Sequence, residues 1–401
     1  SLRSPVAETG AWGFRRVSVV AKQAHAAKEW GVRIRLGMVG GGEGSLIGAV
    51  HRLAARMDDR FELVAGALSA DPARGRASAE AIGLAPERTY ATYAEMARAE
   101  AARADGIEAV AIVTPNHLHF DPAMRFLDAG IHVICDKPMT TSLADAEALA
   151  ARVAETGLVF ALTHNYSGYP MVRQARAMVA AGEIGTVRVV AAEYVQDWLA
   201  EPVEATGMKQ AEWRTDPARS GAGGSVGDIG THAYHLTGFV TGLAWEVAAA
   251  ELSTFVPGRR LDDNAFVLLK AGEARAMLWA SQVAPGNRNA LSLRVYGDRG
   301  GLEWRQEAPE ELWFSPLGKE RRLLTRGGPG TGEAARRVTR LPPGHPEGYF
   351  EAFATLYGEA ADAIEAHRAG QPRPADCLVP TVEDGVAGVA FIEAAVRLAG
   401  R

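Results

Sequence analysis

Lys137, Asp228 and His232 have the types and spacing that alcohol–carbonyl chemistry requires. Lys137 stands in Asp136-Lys137-Pro138, directly after the apolar run His132-Val133-Ile134-Cys135. A lysine at the carboxyl end of a strand in an open parallel sheet faces the crevice where ligands sit. There its ammonium can stabilise an oxygen on which negative charge develops. Asp228 and His232 lie in Gly227-Asp228-Ile229-Gly230-Thr231-His232. If that stretch is helical, the two share a face, and the carboxylate can orient the imidazole or raise its pKa. Histidine titrates near neutral pH, so the pair suits a general acid/base that takes a proton from an alcohol. His235 adds a third group to that face and raises a metal alternative. Such a site is usually completed by another carboxylate or histidine, and no metal is expected.

A lysine so placed needs a dinucleotide-binding domain around it. Val32, Ile34, Leu36 and Met38 alternate with Arg33, Arg35 and Gly37, the period of a strand. The loop Gly40 to Gly48 follows, where Gly40 and Gly42 supply the first two glycines of the dinucleotide fingerprint. Ser45 stands where a third is expected, and Gly44 and Gly48 suggest a lengthened loop. Ile47, Val50, Leu53, Ala54 and Met57 then fall on one face of a helix whose amino end would meet a pyrophosphate. The next strand, Phe61 to Leu68, completes a βαβ start, and its end usually reports cofactor choice. Here Ser69 occupies the acidic position, and Asp71 is either a ribose ligand or the cap of a helix starting at Pro72. Arg74 and Arg76 could neutralise a phosphate, so the cofactor is NAD or NADP. Two further buried-type strands, Ala109–Val113 and Ile131–Cys135, run into Thr114-Pro115-Asn116-His117-Leu118-His119 and Asp136-Lys137-Pro138. A proline after a strand stops the ladder and exposes its polar neighbours where nicotinamide would lie. Thr114 and Asn116 serve equally well as turn or helix caps.

The 401 residues, 47% hydrophobic and 23% charged, suffice for two domains. A net charge of -5 leaves no electrostatic footprint for nucleic acid or an anionic membrane, and no apolar stretch approaches the roughly 20 residues of a bilayer span. A small-molecule partner is expected. Two cysteines, Cys135 and Cys377, are too few for a disulfide framework and fit a reducing cytoplasm. Residues 1–31 read as an extension without the apolar core of a signal peptide. Residues 32–160 form the expected Rossmann domain, and residues 161–401 a substrate-binding and oligomerisation domain. In the latter, alternating runs at Thr186–Val195, Trp245–Phe255, Asn264–Lys270, Ala274–Val283 and Ala290–Tyr296 follow one another without regular helices between, the mark of an antiparallel or mixed sheet. Helical segments are expected at Met171–Gly182, Tyr349–Ala366 and Val382–Leu398. Tyr166, Trp198, Trp213 and Arg214 are candidate pocket residues, because aromatic faces stack on sugar C–H groups and arginine binds hydroxyls; Asn287 is a weaker one.

Taken in order, the glycines at 40–48, Thr114-Pro115-Asn116 with His119, Asp136-Lys137-Pro138, Trp213-Arg214 and Gly227-Asp228-x-Gly230-x-His232 resemble the glucose-fructose oxidoreductase and inositol dehydrogenase family (Gfo/Idh/MocA), over roughly residues 32 to 400. The resemblance implies an α/β fold: a doubly wound parallel Rossmann sheet, then an α+β domain with a large, mostly antiparallel open sheet often used in homo-oligomers, here a dimer or tetramer. It also implies NAD(P)-dependent oxidation or reduction of a sugar, inositol or related polyol. Lys137 would touch the reacting oxygen and the nicotinamide ribose, His232 would shuttle the proton, and Asp228 would orient substrate or histidine. The chain departs from the family pattern in its longer glycine loop, in Asp136 for the usual glutamate, and in His235 where many relatives carry aspartate. Two other readings are an NAD-assisted glycoside cleavage with no net redox, and a cofactor-binding sensor without turnover.

Overall fold

The computed structural model describes residues 33–401; the N-terminal extension and Val32 lie outside the described residues. The first sheet contains β1 (Ile34–Gly40), β2 (Phe61–Ala67), β3 (Ala109–Val113), β4 (His132–Cys135) and β5 (Phe160–Leu162). All pairings are parallel, in the order β2-β1-β3-β4-β5. Every residue of β3 and β4 is buried, which is why those strands read as unbroken apolar runs. Gly40 pairs with Val113 and Ile112 with Cys135, so β1, β3 and β4 end side by side. The glycine loop, Thr114 and Asp136 are thereby delivered to one edge. The strand order reverses between β1 and β3, the position at which open α/β sheets bind ligands.

The second sheet has eight strands: β6 (Val187–Val195), β7 (Glu246–Ser253), β8 (Asn264–Ala271), β9 (Ala274–Ser281), β10 (Ala290–Gly297), β11 (Gly300–Arg305), β12 (Glu311–Pro316) and β13 (Arg322–Thr325). The order is β13-β12-β11-β10-β6-β9-β8-β7, antiparallel throughout except between β6 and β9. The five runs expected from alternation are all present. β11 to β13 extend the sheet on one side beyond what alternation predicts; they are short, follow turns, and β13 keeps no residue fully buried. One face of the sheet packs Val190, Ala192, Leu278, Leu293 and Trp304 against helices, among them Pro170–Ala180, Thr231–Thr241 and Val382–Leu398. The other face exposes Val189, Phe266, Leu268 and Met277.

The helix Tyr349–Arg368 returns to the first sheet. Phe353, Leu356, Tyr357, Ala360 and Ile364 share a core cluster with Ile34, Leu36, Val50, Ala54 and Phe61. Its amphipathic pattern announces a helix and a buried stripe but not the partner, which lies some three hundred residues away along the chain (His51 Nδ1 to Tyr357 Oη, 2.8 Å). Among the described residues no helix is long and apolar enough to cross a membrane.

Candidate active site

The glycine loop is shaped by two left-handed residues and two close approaches. Gly40 and Gly41 have φ of 78° and 73°, the left-handed region that favours glycine. A Cβ on Gly42 would stand 2.7 Å from the Leu68 carbonyl oxygen, and one on Gly48 would stand 2.4 Å from the Gly41 Cα. Gly48, one turn into the helix Leu46–Met57, thus performs the close helix–loop packing for which a third fingerprint glycine is needed. Ser45 instead caps that helix, its Oγ accepting from the Gly48 N–H at 3.1 Å. Ser45, Leu46 and Ile47 line a cavity of about 470 Å³. The first turn of a helix carries N–H groups it cannot satisfy itself, so this cradle fits a dinucleotide pyrophosphate. At the end of β2, Asp71 caps the helix Pro72–Ala81, accepting from Ala73 and Arg74 N–H at 2.8 and 3.0 Å, and Ser69 Oγ accepts from Asp71 N–H at 3.2 Å. Of the two roles open for Asp71, the cap is therefore visible. Ser69, Asp71 and Arg74 do not line the cavity.

Thr114, Pro115, Asn116, Asp136 and Lys137 form one wall of the cavity. Thr114 Oγ1 donates to the Leu118 carbonyl at 2.8 Å as a turn cap, and Asn116 Nδ2 donates to the Ser220 carbonyl at 3.2 Å. His119 lies behind this wall. Its two ring nitrogens stand 2.8 Å from the Pro138 and Thr114 carbonyl oxygens, so it ties the two motif loops together. Burial lowers its pKa, and a neutral ring can donate to only one of these carbonyls. Asp136 Oδ1 accepts from Lys137 N–H and Thr163 Oγ1, each at 2.9 Å.

Lys137 reaches across to Asp228. Its Nζ donates to the Asp228 carbonyl at 2.6 Å and to Oδ1 at 2.9 Å, while Oδ2 accepts from Arg214 Nε at 3.2 Å and Gln282 Nε2 at 2.9 Å. Burial alone would raise the Asp228 pKa, but the Lys137 and Arg214 cations and these hydrogen bonds hold it well below the usual carboxylate range. Asp228 sits in a π-turn, Val226–Gly230, that opens the helix Thr231–Thr241, and both oxygens are taken by donors from three other segments. The expected Asp228–His232 pair is accordingly absent. The expected rise in imidazole pKa is reversed as well: burial, Lys137 and His235 push His232 well below its ordinary value. His232 lines the cavity, edge-on to Tyr166 with ring centroids 4.9 Å apart, and its buried Nδ1 has no hydrogen-bond partner.

Tyr166, Trp198, Trp213 and Arg214 all line the same cavity. Arg214 stacks 4.1 Å above the Trp213 ring and 5.9 Å from that of Trp198. Asn287 does not reach it; its amide donates to the Ala284 carbonyl. Asn289 does, with Oδ1 accepting from Tyr194 Oη and Gln196 Nε2, each at 2.7 Å. Tyr194, Gln196, Asn289 and Tyr349 are lining residues that sequence reasoning misses, as is Gln282 behind Asp228. They come one at a time from strand ends and a helix start, with no motif around them.

Residues 34–164 match the description "Oxidoreductase family, NAD-binding Rossmann fold", and residues 172–303 match "GFO/IDH/MocA C-terminal domain". The uncharacterized oxidoreductase YfiI of Bacillus subtilis is 34% identical over 92% of this chain and 95% of its own length. The chain belongs to the Gfo/Idh/MocA family. Its first sheet is thus an NAD-binding Rossmann domain, and the protein is an oxidoreductase of the dehydrogenases acting on CH–OH groups. Two solved structures align along nearly the whole chain. A Sinorhizobium meliloti oxidoreductase is 54% identical, with a TM-score of 0.84 over 92% of this chain and 98% of the other. An inositol dehydrogenase homolog from Azotobacter vinelandii is 37% identical; its NAD+ complex aligns with a TM-score of 0.88 and its complex with NADH and myo-inositol with 0.86, each over 92% of this chain and 96% of the other.

Proposed function

We propose that this Gfo/Idh/MocA member transfers a hydride between a nicotinamide cofactor and a secondary hydroxyl or ketone of a sugar, inositol or related polyol, with Lys137, Asp228 and His232 as catalytic residues. The observation that carries this reading is the convergence of a Lys137–Asp228 pair and the neutral His232 on one cavity whose far wall is the amino end of the Leu46–Met57 helix. The cofactor, when bound, supplies the acceptor for the hydride. Ser45, Ile47 and the glycines Gly40 and Gly42 would hold its pyrophosphate; Ser69, Asp71 and Arg74 would meet the adenosine ribose; Thr114, Pro115, Asn116, Asp136, Lys137 and Pro138 would meet the nicotinamide end, with His119 bracing them.

The Lys137 ammonium holds the substrate oxygen and stabilises the charge that grows on it as the carbinol C–H bond breaks. His232 is neutral by burial and by repulsion from Lys137, which is the form that can accept the hydroxyl proton. Asp228 keeps Lys137 and Arg214 oriented and balances their charge in a buried place. The aromatic faces of Tyr166 and Trp213 and the polar groups of Arg214 and Asn289 suit a ring that carries many hydroxyls. The relative that binds myo-inositol supports that substrate class. We further assign the outer face of the eight-stranded sheet, with its exposed Phe266, Leu268 and Met277, to contact with a second copy of the chain.

The test is nicotinamide absorbance with NAD and NADP separately over myo-inositol, scyllo-inositol, D-glucose, D-xylose and levoglucosan. Turnover of at least one is expected. No absorbance change with any of them, cofactor being bound, overturns the redox reading; sugar released from a glycoside without net absorbance change would assign the site to cleavage instead.

A further inference from the structure

Behind His232 lies a file of imidazoles that the reaction as described does not use. His164, at the end of β5, meets His232 edge-on with ring centroids 5.5 Å apart and stacks on His235 at 4.2 Å with the rings 5° from parallel. His235 Nε2 stands 3.6 Å from Asp384 Oδ1. The three imidazoles are buried, and one nitrogen on each (His232 Nδ1, His164 Nδ1 and His235 Nε2) has no hydrogen-bond partner, as does the neighbouring Thr231 Oγ1. Asp384 is half-exposed and, with His235, lines a second cavity of about 450 Å³ between the helices Thr231–Thr241 and Val382–Leu398, separate from the catalytic one. Buried polar atoms left unpaired are costly, so four of them along one file call for a function.

We propose that His164, His235 and Asp384 carry the proton accepted by His232 out to the second cavity. The proposal rests on the role given to His232 above. For each alcohol oxidised, the carbinol hydrogen leaves with its electron pair to the nicotinamide, the hydroxyl proton goes to His232, and one proton is delivered past Asp384 to solvent; reduction of a ketone runs the file in reverse. The rings touch without being hydrogen-bonded, so a proton crosses by reorientation of an imidazole or through a bridging water. Charges along the file set the direction. At the catalytic end Lys137 repels an imidazolium on His232, with Asp228 held in its own pairs and the hydroxyls of Tyr166 and Tyr194 nearby. At the other end the Asp384 carboxylate attracts one on His235, opposed by the guanidinium groups of Arg176 and Arg373 that line the same cavity. His232 cannot store its proton next to Lys137, and His164, held below its ordinary value by burial and by the neighbouring imidazoles, only passes it on toward the Asp384 carboxylate.

His164→Phe keeps the stacked ring and removes both nitrogens; Asp384 Oδ2 accepts from the Thr381 N–H at 2.7 Å at the start of the Val382–Leu398 helix, and Asp384→Asn keeps an oxygen there while removing the charge. With the best substrate of the panel above, His164→Phe is expected to lower kcat about 10-fold, the low end of what proton-transfer groups contribute, with KM unchanged and a larger solvent deuterium isotope effect on kcat. Asp384→Glu should restore what Asp384→Asn loses. Wild-type kcat, isotope effect and pH profile in His164→Phe would overturn the relay while leaving the redox reading intact. Histidine NMR on the NAD-bound protein gives a readout independent of turnover: the Asp384 charge favours a proton on His164, so in Asp384→Asn the His164 resonances should titrate at lower pH than in the wild type. Titrations unmoved by that substitution overturn the relay even if no panel substrate turns over, an outcome that would by itself count only against the redox reading.

Discussion

Asp228 accepts from Lys137, Arg214 and Gln282 with its two carboxylate oxygens, and each donor comes from a different part of the chain. That arrangement makes the lysine's loss more than the loss of one charge at the substrate oxygen. In Lys137→Ala the carboxylate keeps Arg214 alone as a counter-cation, its pKa climbs toward the ordinary range, and nothing remains to stabilise alkoxide character. Turnover is expected to fall by about 10²- to 10⁴-fold, while NAD affinity, followed by quenching of protein fluorescence, changes only a few-fold, because the pyrophosphate cradle is untouched. A variant with near-normal kcat would remove Lys137 from the mechanism. Residues of this kind are legible in the amino-acid sequence, since Lys137 and His232 sit in dense local motifs next to strand ends and helix starts. What spacing does not disclose is partnership. Four residues of separation suggest that Asp228 serves His232, whereas the buried carboxylate is claimed by two cations and an amide brought in by tertiary contacts, which outcompete a neutral imidazole on the same helix.

At the scale of elements, the helix start that bears Asp228 and His232 is pinned by Asp262. Its buried carboxylate accepts from Gly224 N–H at 2.6 Å, Ser225 Oγ at 2.7 Å and Val226 N–H at 2.8 Å, doing for the π-turn and helix what a capping residue does for an ordinary one. Asp262→Ala strands the buried Gly224 and Val226 N–H groups and leaves Ser225 Oγ only the Ala280 carbonyl at 3.4 Å, so a loss of about 3 kcal/mol in unfolding free energy is expected by chemical denaturation, with a drop in kcat at unchanged NAD affinity. Equal losses in both would mean that Asp262 supports the whole fold and not this helix start. The glycine loop makes a matching case in the other half. In Gly48→Ala the new Cβ would meet the Gly41 backbone at 2.4 Å, and neither partner is a flexible side chain that can yield. The loop must shift, and NAD affinity measured by calorimetry should weaken at least about tenfold, a cost of about 1.4 kcal/mol. The loop and its place between a strand and a helix are plain from the glycines and the flanking periodicities. The fixed spacing of the fingerprint puts the third glycine at Ser45, whereas in this longer loop the close contact comes one turn later. The core strands β1, β3 and β4 are legible for a simple reason: strands buried on both faces must be apolar throughout. β11 to β13 lie toward one side of the second sheet, half exposed, and alternation there competes with turn residues that carry the same polar signal.

Across the whole molecule the two halves are joined by a core that hides histidines. His51 lies under the helix Tyr349–Arg368, bonded through Nδ1 to Tyr357 Oη at 2.8 Å, and His132 uses Nδ1 to accept from the Val159 N–H at 2.9 Å. Burial pushes the pKa of each from 6.5 down to about 4. Between those values the unfolded chain binds a proton that the native state refuses, so stability rises with pH across this window. The stabilisation is fully present above about 6.5 and is lost as pH falls toward 4. By pH 5 each histidine should have cost about 2 kcal/mol relative to pH 7, to an order of magnitude. Asp228 acts in a different window: its lowered pKa stabilises the fold above the ordinary carboxylate value near 3.8 and is lost only below it. Urea denaturation at pH 7 and pH 5 therefore reads the histidines almost alone. His132→Asn places an amide oxygen where Nδ1 accepted from Val159 and removes the titration, so its unfolding free energy should fall less between pH 7 and pH 5 than that of the wild type, by about 2 kcal/mol. An equal fall in both proteins would show that His132 is protonated in the native state, and the buried ring would then need a counter-charge that its T-shaped contact with His367, at 4.8 Å between centroids, does not supply.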